Sequence, residues 1–390
     1  MAFSFIQSDV AQRQSQALLR KHHVIDQEHE ALISVDGKAY INFASNDYLG
    51  LRQHPEVLQA WVEGLELYGG GSGASPLVTG YYRAHQQLSE TLAEMLGRDE
   101  VLLFTSGYAA NQAICQALFK HGGVLLADKL SHASLIEAGR NITGEFKRFR
   151  HNDMHHLTTL LSGSDAVAAD SQNRLIASEG IFSMDGDSAD VLALKAMAKE
   201  NNAWFMIDDA HGFGVIGAKG EGIAASQAEQ RECQIVMATL GKACGTGGAF
   251  VAGSHDLIAY LTNFARHYIY STAMSPAQAH ATLKALQLVK AGEQRARLHE
   301  NIGYFRQRMH DADLILSDSV SAIQPVKLGS PERTLAAASR LKELGIWVGA
   351  MRYPTVPKGS DRLRITLSSQ HHKRDLDVLV DALSIIQESA

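Results

Sequence analysis

Short apolar runs alternate with helical stretches between about residues 85 and 290 of the chain. The alternation is typical of a largely parallel sheet covered by helices. In open sheets of this kind, ligands bind at the carboxyl ends of the strands, so polar residues that follow the apolar runs are candidates for function. The predicted strands are Val101–Thr105, Val124–Ala127, Arg174–Ser178, Trp204–Ile207, Ile235–Thr239 and Ala249–Ala252. The predicted helices between them include His85–Leu96, Gly107–Phe119, Ser134–Arg140 and Leu192–Asn201.

Both ends of the chain differ from this central pattern. Gln12–Arg20 predicts a mostly polar helix that packs on a larger body, and Ala39–Phe43 predicts a strand. After residue 291, helices and strands at 322–328, 346–350 and 363–367 predict a smaller α+β unit. We therefore expect an N-terminal arm (1–50), a large domain (51–290) and a small C-terminal domain (291–390).

The composition is that of an ordinary globular protein. With 390 residues, of which 45% are hydrophobic and 20% charged, the chain can bury a large core. Its formal net charge of -6 gives no reason to expect a nucleic-acid partner. No apolar window has the length of a membrane span, and the N-terminal residues lack a basic segment followed by an apolar run, so we expect a cytoplasmic protein without a membrane partner. The three cysteines lack metal-type spacing, which favours reduced thiols.

Lys242 lies in a glycine-rich turn after the predicted strand Ile235–Thr239. The glycines leave little side chain to crowd a ligand, so the amine could reach into a cavity. There it could form a Schiff base with a carbonyl such as the aldehyde of pyridoxal phosphate. Taken alone, the stretch is better explained by a solvated surface lysine, and the neighbouring Cys244 is more simply a packing residue than a nucleophile.

Asp208 and His211 follow another predicted strand, three residues apart. A carboxylate at a strand end can hold a pyridine nitrogen protonated, because an adjacent negative charge favours the charged form of its partner. His211 could hydrogen-bond the phenolic oxygen of such a ring, or it could be a structural histidine. An Asp-x-x-His pair is also compatible with a metal, but no cluster of further ligands accompanies it, so we predict no metal site.

Three more strand ends carry polar residues. Ser106 and Gly107 begin a predicted helix, where outward-facing backbone N–H groups could bind a phosphate, although a plain N-cap is the alternative. His132 could stack on an aromatic cofactor or could simply be exposed. Ser183 could donate a hydroxyl hydrogen bond or could be a turn residue.

The order of these segments resembles the α-oxoamine synthases, which are fold-type-I pyridoxal-phosphate enzymes that condense an amino acid with an acyl thioester and release carbon dioxide. The resemblance runs from about residue 17 to the carboxyl terminus. It implies an α/β transferase whose large domain holds a mostly parallel seven-stranded sheet, plus a small C-terminal α+β domain. The segments that carry it are Ser45-Asn-Asp-Tyr-Leu-Gly50, Thr105-Ser-Gly-Tyr108, Ser131-His132, Glu179-Gly180 with Ser183-Met-Asp-Gly186, Asp208-Asp-Ala-His-Gly212 and Thr239-Leu-Gly-Lys242.

The resemblance implies catalytic roles for Lys242, Asp208, His132 and His211. Lys242 matches the Schiff-base lysine, Asp208 the partner of the pyridine nitrogen, His211 the contact to the ring hydroxyl, and His132 the residue that stacks on the ring. A homodimer is implied as well, because one matching phosphate contact is supplied across the subunit interface. The further cofactor contacts are Gly107, Tyr108, Ser183, Thr239 and, from the partner subunit, Thr272.

Substrate contacts are implied in the same way. Within the family, the segments 264–272, 319–325 and 352–357 are most similar to the members that join L-alanine to a pimeloyl thioester, carried by coenzyme A or by an acyl-carrier protein. Arg364 would bind the carboxylate of the amino acid with two hydrogen bonds. The other substrate-binding positions are Arg20, Asn46, His132 and Thr355.

Three alternatives remain open from the sequence. The chain could be a sister synthase that uses glycine or serine with another thioester, such as 2-amino-3-ketobutyrate ligase. It could be an inactive partner subunit on the same fold, although such a subunit would be expected to lack Lys242, Asp208 or His132. A dinucleotide-binding module built on Gly69–Gly73 is disfavoured, because that loop does not follow a predicted strand and lacks the spacing of the fingerprint.

Overall fold

The computed structural model of the chain describes residues 2–16, 18–163, 173–227 and 232–388. Its strands are β1 Ile25–His29, β2 Leu32–Val35, β3 Lys38–Phe43, β4 Glu100–Phe104, β5 Val124–Asp128, β6 Glu145–Phe149, β7 Arg174–Glu179, β8 Trp204–Asp208, β9 Ile235–Thr239, β10 Ala249–Gly253, β11 Ile323–Lys327, β12 Ile346–Met351 and β13 Arg362–Thr366. Its helices are α1 Phe5–Ser15, α2 Pro55–Tyr68, α3 Arg83–Leu96, α4 Gly107–Leu118, α5 Ala133–Arg140, α6 Met154–Ser162, α7 Val191–Glu200, α8 Ile223–Gln227, α9 His255–Phe264, α10 Arg266–Ile269, α11 Pro276–Ala291, α12 Glu293–Asp311, α13 Pro331–Glu343 and α14 Lys373–Glu388.

A seven-stranded sheet forms the centre of the fold, with the strand order β4-β10-β9-β8-β7-β5-β6. Only β10 runs antiparallel to its neighbours, so the other six strands end at the same edge. The mostly parallel seven-stranded sheet is therefore confirmed, and each of the six strands predicted from apolar runs is present to within about one residue at each end. Strand β6 was not predicted because this edge strand is not an apolar run: three of its five residues are charged.

Both faces of this sheet are buried. Alternate residues of one strand enter different apolar clusters: Leu126 and Ile176 pack on one face, whereas Leu125 and Leu175 pack on the other. A strand covered by helices on both faces needs apolar residues at every position, which is why these strands appear in the sequence as continuous runs rather than alternating ones.

A second sheet joins the two ends of the chain. Its six strands have the order β1-β2-β3-β12-β13-β11, and β3 pairs with β12 in parallel, with Ile41 opposite Ile346. Strands β11, β12 and β13 correspond to the C-terminal strands predicted from the sequence. Strands β1 and β2 were not predicted. Strand β1 consists mainly of polar, exposed residues and so forms no apolar run in the sequence.

The N-terminal helix differs from the prediction. Helix α1 covers Phe5–Ser15 and ends before Arg20, which lies in a segment without regular structure. The predicted helix Gln12–Arg20 is thus wrong in its position, and the expected packing on a larger body is wrong as well, since no residue of α1 is buried. Without a buried apolar face, helix length is set by local hydrogen bonding alone, which is weak for a sequence this polar.

The described part of the chain contains no helix that is both long enough and apolar enough to cross a bilayer. Within the same ranges, no three side chains of histidine, cysteine, aspartate or glutamate are grouped so that they could hold a metal ion. All three cysteines are buried and unpaired with one another.

Candidate active site

A cavity of about 170 Å³ opens at the edge where the parallel strands end. It collects residues from the ends of β5, β7, β8 and β9 and from the start of α4. Because these strands share one direction, residues that are far apart in the sequence meet at this edge. The lining residues are Gly107, Tyr108, His132, Ser134, Glu179, Asp208, Ala210, His211, Met237, Thr239 and Lys242.

Lys242 is presented by a tightly hydrogen-bonded turn between β9 and β10. The N–H of Leu240 donates to the carbonyl of Gly248 (2.9 Å), and the N–H of Gly245 donates to the carbonyl of Lys242 itself (2.9 Å). Gly245 has a φ of 67°, and a Cβ atom there would lie 2.3 Å from the backbone nitrogen of Arg52. Glycine is therefore required at this position by both conformation and space, and the turn holds the lysine in place.

The amine of Lys242 is shifted toward its neutral form. Burial lowers the pKa of Lys242 to about 8; the carboxylates of Asp208 and Glu179 oppose this shift, and the guanidinium of Arg364 adds to it. Only the neutral amine has the lone pair that attacks a carbonyl or accepts a proton. The cavity thus makes Lys242 a better nucleophile and base at neutral pH than an exposed lysine would be.

His211 connects this amine to the interior. Its Nε2 lies 2.7 Å from Nζ of Lys242, and its Nδ1 lies 2.7 Å from the hydroxyl of Tyr48. Burial holds the pKa of His211 well below its usual range, and the positive charges of Lys242 and Arg364 lower it further. The ring is therefore neutral, and it is fixed through both nitrogens.

Asp208 forms the floor of the cavity at the end of β8. Its Oδ2 accepts a hydrogen bond from Nδ2 of Asn111 (2.9 Å), and its Oδ1 accepts one from the N–H of Ala210 (3.2 Å). The side chain is buried, and within the described residues it forms no salt bridge. A buried carboxylate that has only neutral hydrogen-bond donors gains most from a cation placed against it.

His132 and Glu179 line one side of the cavity. The backbone N–H of His132 donates to a carboxyl oxygen of Glu179, and Nδ1 of His132 lies 2.7 Å from the hydroxyl of Ser134. Burial, aided by the charge of Lys242, lowers the pKa of His132 against the opposing effect of Asp208, so this ring is neutral as well. Burial, together with the charge of Asp208, raises the pKa of Glu179 well above its usual range.

The N-terminus of α4 points into the cavity from the opposite side. Ser106 caps this helix, its hydroxyl accepting a hydrogen bond from the N–H of Ala109 (3.2 Å). Gly107 and Tyr108 form the first turn and line the cavity. The free N–H groups of a first helical turn favour an anion, so this is the seat that suits a phosphate.

Arg364 lies beside the cavity in strand β13 and is buried. Its Nη1 and Nη2 each donate to the amide oxygen of Asn46 (3.1 Å), and its Nε donates to the carbonyl of Ser183 (2.6 Å). No carboxylate forms a salt bridge with it among the residues that the structure describes. The predicted substrate residues Asn46 and Arg364 are thus in direct contact. Ser183 contacts Arg364 through its backbone carbonyl and does not line the cavity.

Arg20 and Thr355 also lie together, at an exposed position. Nη2 of Arg20 is 3.4 Å from the hydroxyl oxygen of Thr355, which makes this a weak contact. Thr272 lines a separate cavity of about 20 Å³, beside Thr105 and Tyr268. Among the predicted residues, the cavity is lined by Gly107, Tyr108, His132, Asp208, His211, Thr239 and Lys242. Arg20, Asn46, Ser183, Thr272, Thr355 and Arg364 do not line it.

Three residues of this site were not predicted individually. Tyr48, Asn111 and Glu179 are all buried. Tyr48 and Asn111 contact the side chains of His211 and Asp208, and Glu179 contacts the backbone of His132. Glu179 follows the rule that polar residues at strand ends merit attention, since it closes β7. Asn111 is a polar residue among the small apolar residues of α4, which is the signal that could have identified it.

The chemistry of the cavity fits pyridoxal phosphate. Lys242 offers an amine to an aldehyde, Asp208 a buried negative charge to a protonated ring nitrogen, and the start of α4 its N–H groups to a phosphate. His132 offers a flat neutral ring. Among the residues that the structure describes, the buried carboxylate of Asp208 has hydrogen bonds but no salt bridge, and a protonated pyridine nitrogen fits against it.

The chain matches a known family and curated relatives over most of its length. Residues 38–383 match the family described as aminotransferase class I and II. A curated relative from Aeromonas salmonicida, named 8-amino-7-oxononanoate synthase, is 47% identical over 383 residues, which cover 98% of this chain and 94% of the relative.

Solved structures resemble the whole chain. The crystal structure of 8-amino-7-oxononanoate synthase from Francisella tularensis is 31% identical, with a TM-score of 0.75 over 90% of this chain and 97% of that one. A structure described as SPT with PLP as an internal aldimine is 26% identical, with a TM-score of 0.92 over 100% of this chain and 99% of that one.

Proposed function

Because the chain belongs to the aminotransferase class I and II family and, within it, to the 8-amino-7-oxononanoate synthases, we propose that it condenses L-alanine with a pimeloyl thioester by means of pyridoxal phosphate. The products are 8-amino-7-oxononanoate, carbon dioxide and the free thiol of the acyl carrier, in a step of biotin biosynthesis. The observation that carries this proposal is the cavity in which Lys242, Asp208, His211 and His132 meet.

The residues of the cavity divide the task of holding the cofactor. Lys242 would bind it covalently, the first turn of α4 at Gly107 and Tyr108 would bind its phosphate, and His132 would stack on its ring. Asp208 would keep a proton on the ring nitrogen, because a buried carboxylate stabilises the positive charge beside it. When bound, pyridoxal phosphate supplies an electron sink for negative charge that develops at the α-carbon of the amino acid.

Lys242 would also act as the base of the reaction. Its amine, with a pKa lowered to about 8, can accept the α-proton of L-alanine near neutral pH. The α-carbon then attacks the thioester carbonyl and the thiol leaves; carbon dioxide is lost from the former alanine carboxylate, and a proton returns to the α-carbon. His211, 2.7 Å from Nζ of Lys242, would orient the amine.

Arg364 would bind the carboxylate of L-alanine. The guanidinium is buried and is held by neutral acceptors, the amide oxygen of Asn46 and the carbonyl of Ser183, so its charge is available to an incoming carboxylate. A fork of two parallel N–H groups matches the two oxygens of a carboxylate. Arg20 and Thr355 would contact the acyl substrate at the entrance.

We further propose that the active form is a homodimer. Thr272 lies outside the cavity of its own chain, which supports its role as a phosphate contact supplied to the partner.

Hybrid dimers formed from Lys242→Ala and Thr272→Arg chains test this shared site. In such a hybrid, one site combines the native Lys242 of the Thr272→Arg chain with the native Thr272 of the Lys242→Ala chain. Activity should therefore reappear when the two inactive variants are mixed. Two inactive parents that stay inactive after subunit exchange, shown by mass spectrometry, would contradict the shared site.

The direct test of the proposed function is a product assay. Purified protein loaded with pyridoxal phosphate is mixed with L-alanine and pimeloyl-coenzyme A, or with pimeloyl-acyl-carrier protein, and the amino ketone is identified by mass spectrometry. Glycine with acetyl-coenzyme A serves as the second arm. The proposal expects 8-amino-7-oxononanoate to dominate; turnover only in the glycine arm would assign the chain to the sister reaction.

A further inference from the structure

A histidine outside the cavity joins two of the segments that build it. His151, in the turn after β6, has its Nδ1 3.1 Å from Oδ1 of Asp128 and its Nε2 2.7 Å from Oδ2 of Asp187. Its ring also packs edge-on against Phe182, with the ring centroids 4.4 Å apart. Asp128 is fully buried at the end of β5, so the imidazole is clamped between two carboxylates from different segments.

Asp128 organises the segment that ends in His132. Its Oδ1 accepts a hydrogen bond from the N–H of Leu130 (2.8 Å), and its backbone carbonyl accepts one from the N–H of Ser131 (3.1 Å). These bonds fold the chain between β5 and α5 into a tight turn. The position of the His132 ring therefore depends on the Asp128 carboxylate, which His151 contacts.

Asp187 closes the turn that contains Ser183. The N–H of Phe182 donates to the carbonyl of Asp187 (2.9 Å), and the N–H of Gly186 donates to the carbonyl of Phe182 (2.8 Å). Within this turn, the carbonyl of Ser183 accepts the hydrogen bond from Nε of Arg364. The side chain of Asp187 thus anchors the backbone that positions the guanidinium.

We propose that His151 is a positioning residue for the reaction: by bridging Asp128 and Asp187, it fixes the segment of His132 relative to the turn that orients Arg364. The inference rests on the proposed function for the meaning of both partners, the ring-stacking histidine and the carboxylate-binding arginine. It concerns a residue that lies outside the cavity and touches no substrate.

The charges of the cluster support a strong bridge. Burial by itself lowers the pKa of His151, but the hydrogen bonds and charges of Asp128 and Asp187 outweigh it and raise this pKa to about 10. The ring is therefore an imidazolium at neutral pH and donates from both nitrogens, as two carboxylate acceptors require. Asn152 reinforces the bridge, since its N–H donates to Oδ2 of Asp128 (2.9 Å) and its Nδ2 donates to Oδ2 of Asp187 (3.4 Å).

The test compares His151→Ala and His151→Gln with His155→Ala, an exposed histidine of the following helix. We expect His151→Ala to raise the KM for L-alanine roughly tenfold and the dissociation constant of pyridoxal phosphate severalfold, with a much smaller change in kcat, because the groups remain but are misplaced. His151→Gln, which keeps one donor but loses the charge, should fall between the wild type and His151→Ala. The control should match the wild type.

Cofactor binding is followed by fluorescence with pyridoxal phosphate alone, so this readout does not depend on turnover. If His151→Ala does not fold, Asp187→Asn provides the same measurement with a nearly isosteric side chain. An unchanged KM for L-alanine in the folded variants overturns the proposal. The proposal is also overturned if kcat falls only as much as the fraction of folded protein falls while KM stays unchanged. That result would indicate a purely structural role for His151. A wild type that is inactive with L-alanine and pimeloyl-coenzyme A would instead refute the proposed function, whatever His151 does to cofactor binding.

Discussion

Two parts of the proposed site are built in opposite ways. We call the group of Asp208, His211, His132 and Lys242 the floor, and the exposed pair of Arg20 and Thr355 the proposed entrance. On the floor, Asp208 and His211 are buried. The side-chain contacts Asn111–Asp208, Lys242–His211 and His132–Ser134 are 2.7 to 2.9 Å long. At the entrance, Arg20 and Thr355 are exposed and meet in a single contact of 3.4 Å. Burial lowers the pKa values of His211 and Lys242, whereas Arg20 and Thr355 are exposed to water.

The difference in burial indicates which part of the site acts on the reacting groups and which part contacts the acyl substrate. Buried, preorganised groups act on charge as it develops, because little solvent competes with them. Exposed groups contribute little by themselves and depend on a bound substrate for their order. We infer that the floor determines the chemistry and that the entrance only selects the acyl group, and the following predictions test this division from the largest expected effect to the smallest.

Replacing Lys242 should have the largest effect. Lys242→Ala removes both the covalent attachment point and the base, so we expect turnover to fall by about 10³-fold or more while pyridoxal phosphate still binds noncovalently. Steady-state assays and the visible absorbance of the bound cofactor measure the two effects. Turnover near that of the wild type would remove Lys242 from the mechanism.

Two adjacent aspartates provide a sharper contrast on the floor. Asp208→Asn should lower turnover by about a hundredfold or more, since the ring nitrogen loses its negative partner. Asp209 is equally buried, but its Oδ2 accepts the N–H of Ile223 (2.7 Å), and burial raises its pKa to about 8. Asp209→Asn is therefore the matched control and should retain turnover within a fewfold. Equal losses in the two variants, measured as kcat on folded protein, would show that the effect is structural.

The rate of cofactor attachment should depend on pH through Lys242. In the apoenzyme the lysine has a pKa of about 8, so below this pH each unit of acidification should slow attachment by about tenfold, as the neutral amine becomes scarcer. Above pH 8 the rate should level off. Stopped-flow absorbance measures the rate, and noncovalent binding to Lys242→Ala corrects for the titration of the cofactor itself. A rate that keeps rising to pH 10.5, the ordinary value for lysine, would mean that the floor does not lower this pKa.

The entrance should give the smallest effect. Arg20→Ala is expected to raise the KM for the pimeloyl thioester only about two- to fivefold and to leave kcat and the KM for L-alanine unchanged, because exposed polar contacts are weak. Arg13→Ala, on the exposed helix α1, is the control. A large fall in kcat for Arg20→Ala would break the division between floor and entrance.

The sequence predicts the floor better than the entrance for a physical reason. Strands buried on both faces are continuous apolar runs, and the polar residues that follow them, Asp208 and His211, stand out against that background. Edge and surface elements lack this contrast, so strands β6 and β1 were not predicted. For the same reason the helix predicted to extend to Arg20 was misplaced, and the observed helix ends at Ser15.

The residues that hold the reactive side chains in place lie far from them in the sequence. No local sequence pattern identifies such pairs. Tyr48 and His211 are 163 residues apart in the chain, and Asn111 and Asp208 are 97 apart. The partners of His151 at Asp128 and Asp187 are separated in the same way. Such pairs are specified by the fold as a whole, so the sequence alone identified the reactive groups but not the residues that hold them.

The claim that a lysine on the floor carries the cofactor is tested most directly by chemical trapping. The protein is incubated with pyridoxal phosphate, reduced with borohydride, digested, and mapped by mass spectrometry. The account predicts a stable phosphopyridoxyl group on the peptide that contains Lys242 and on no other lysine in stoichiometric amount. A label located at another residue, or no label at all, would contradict it.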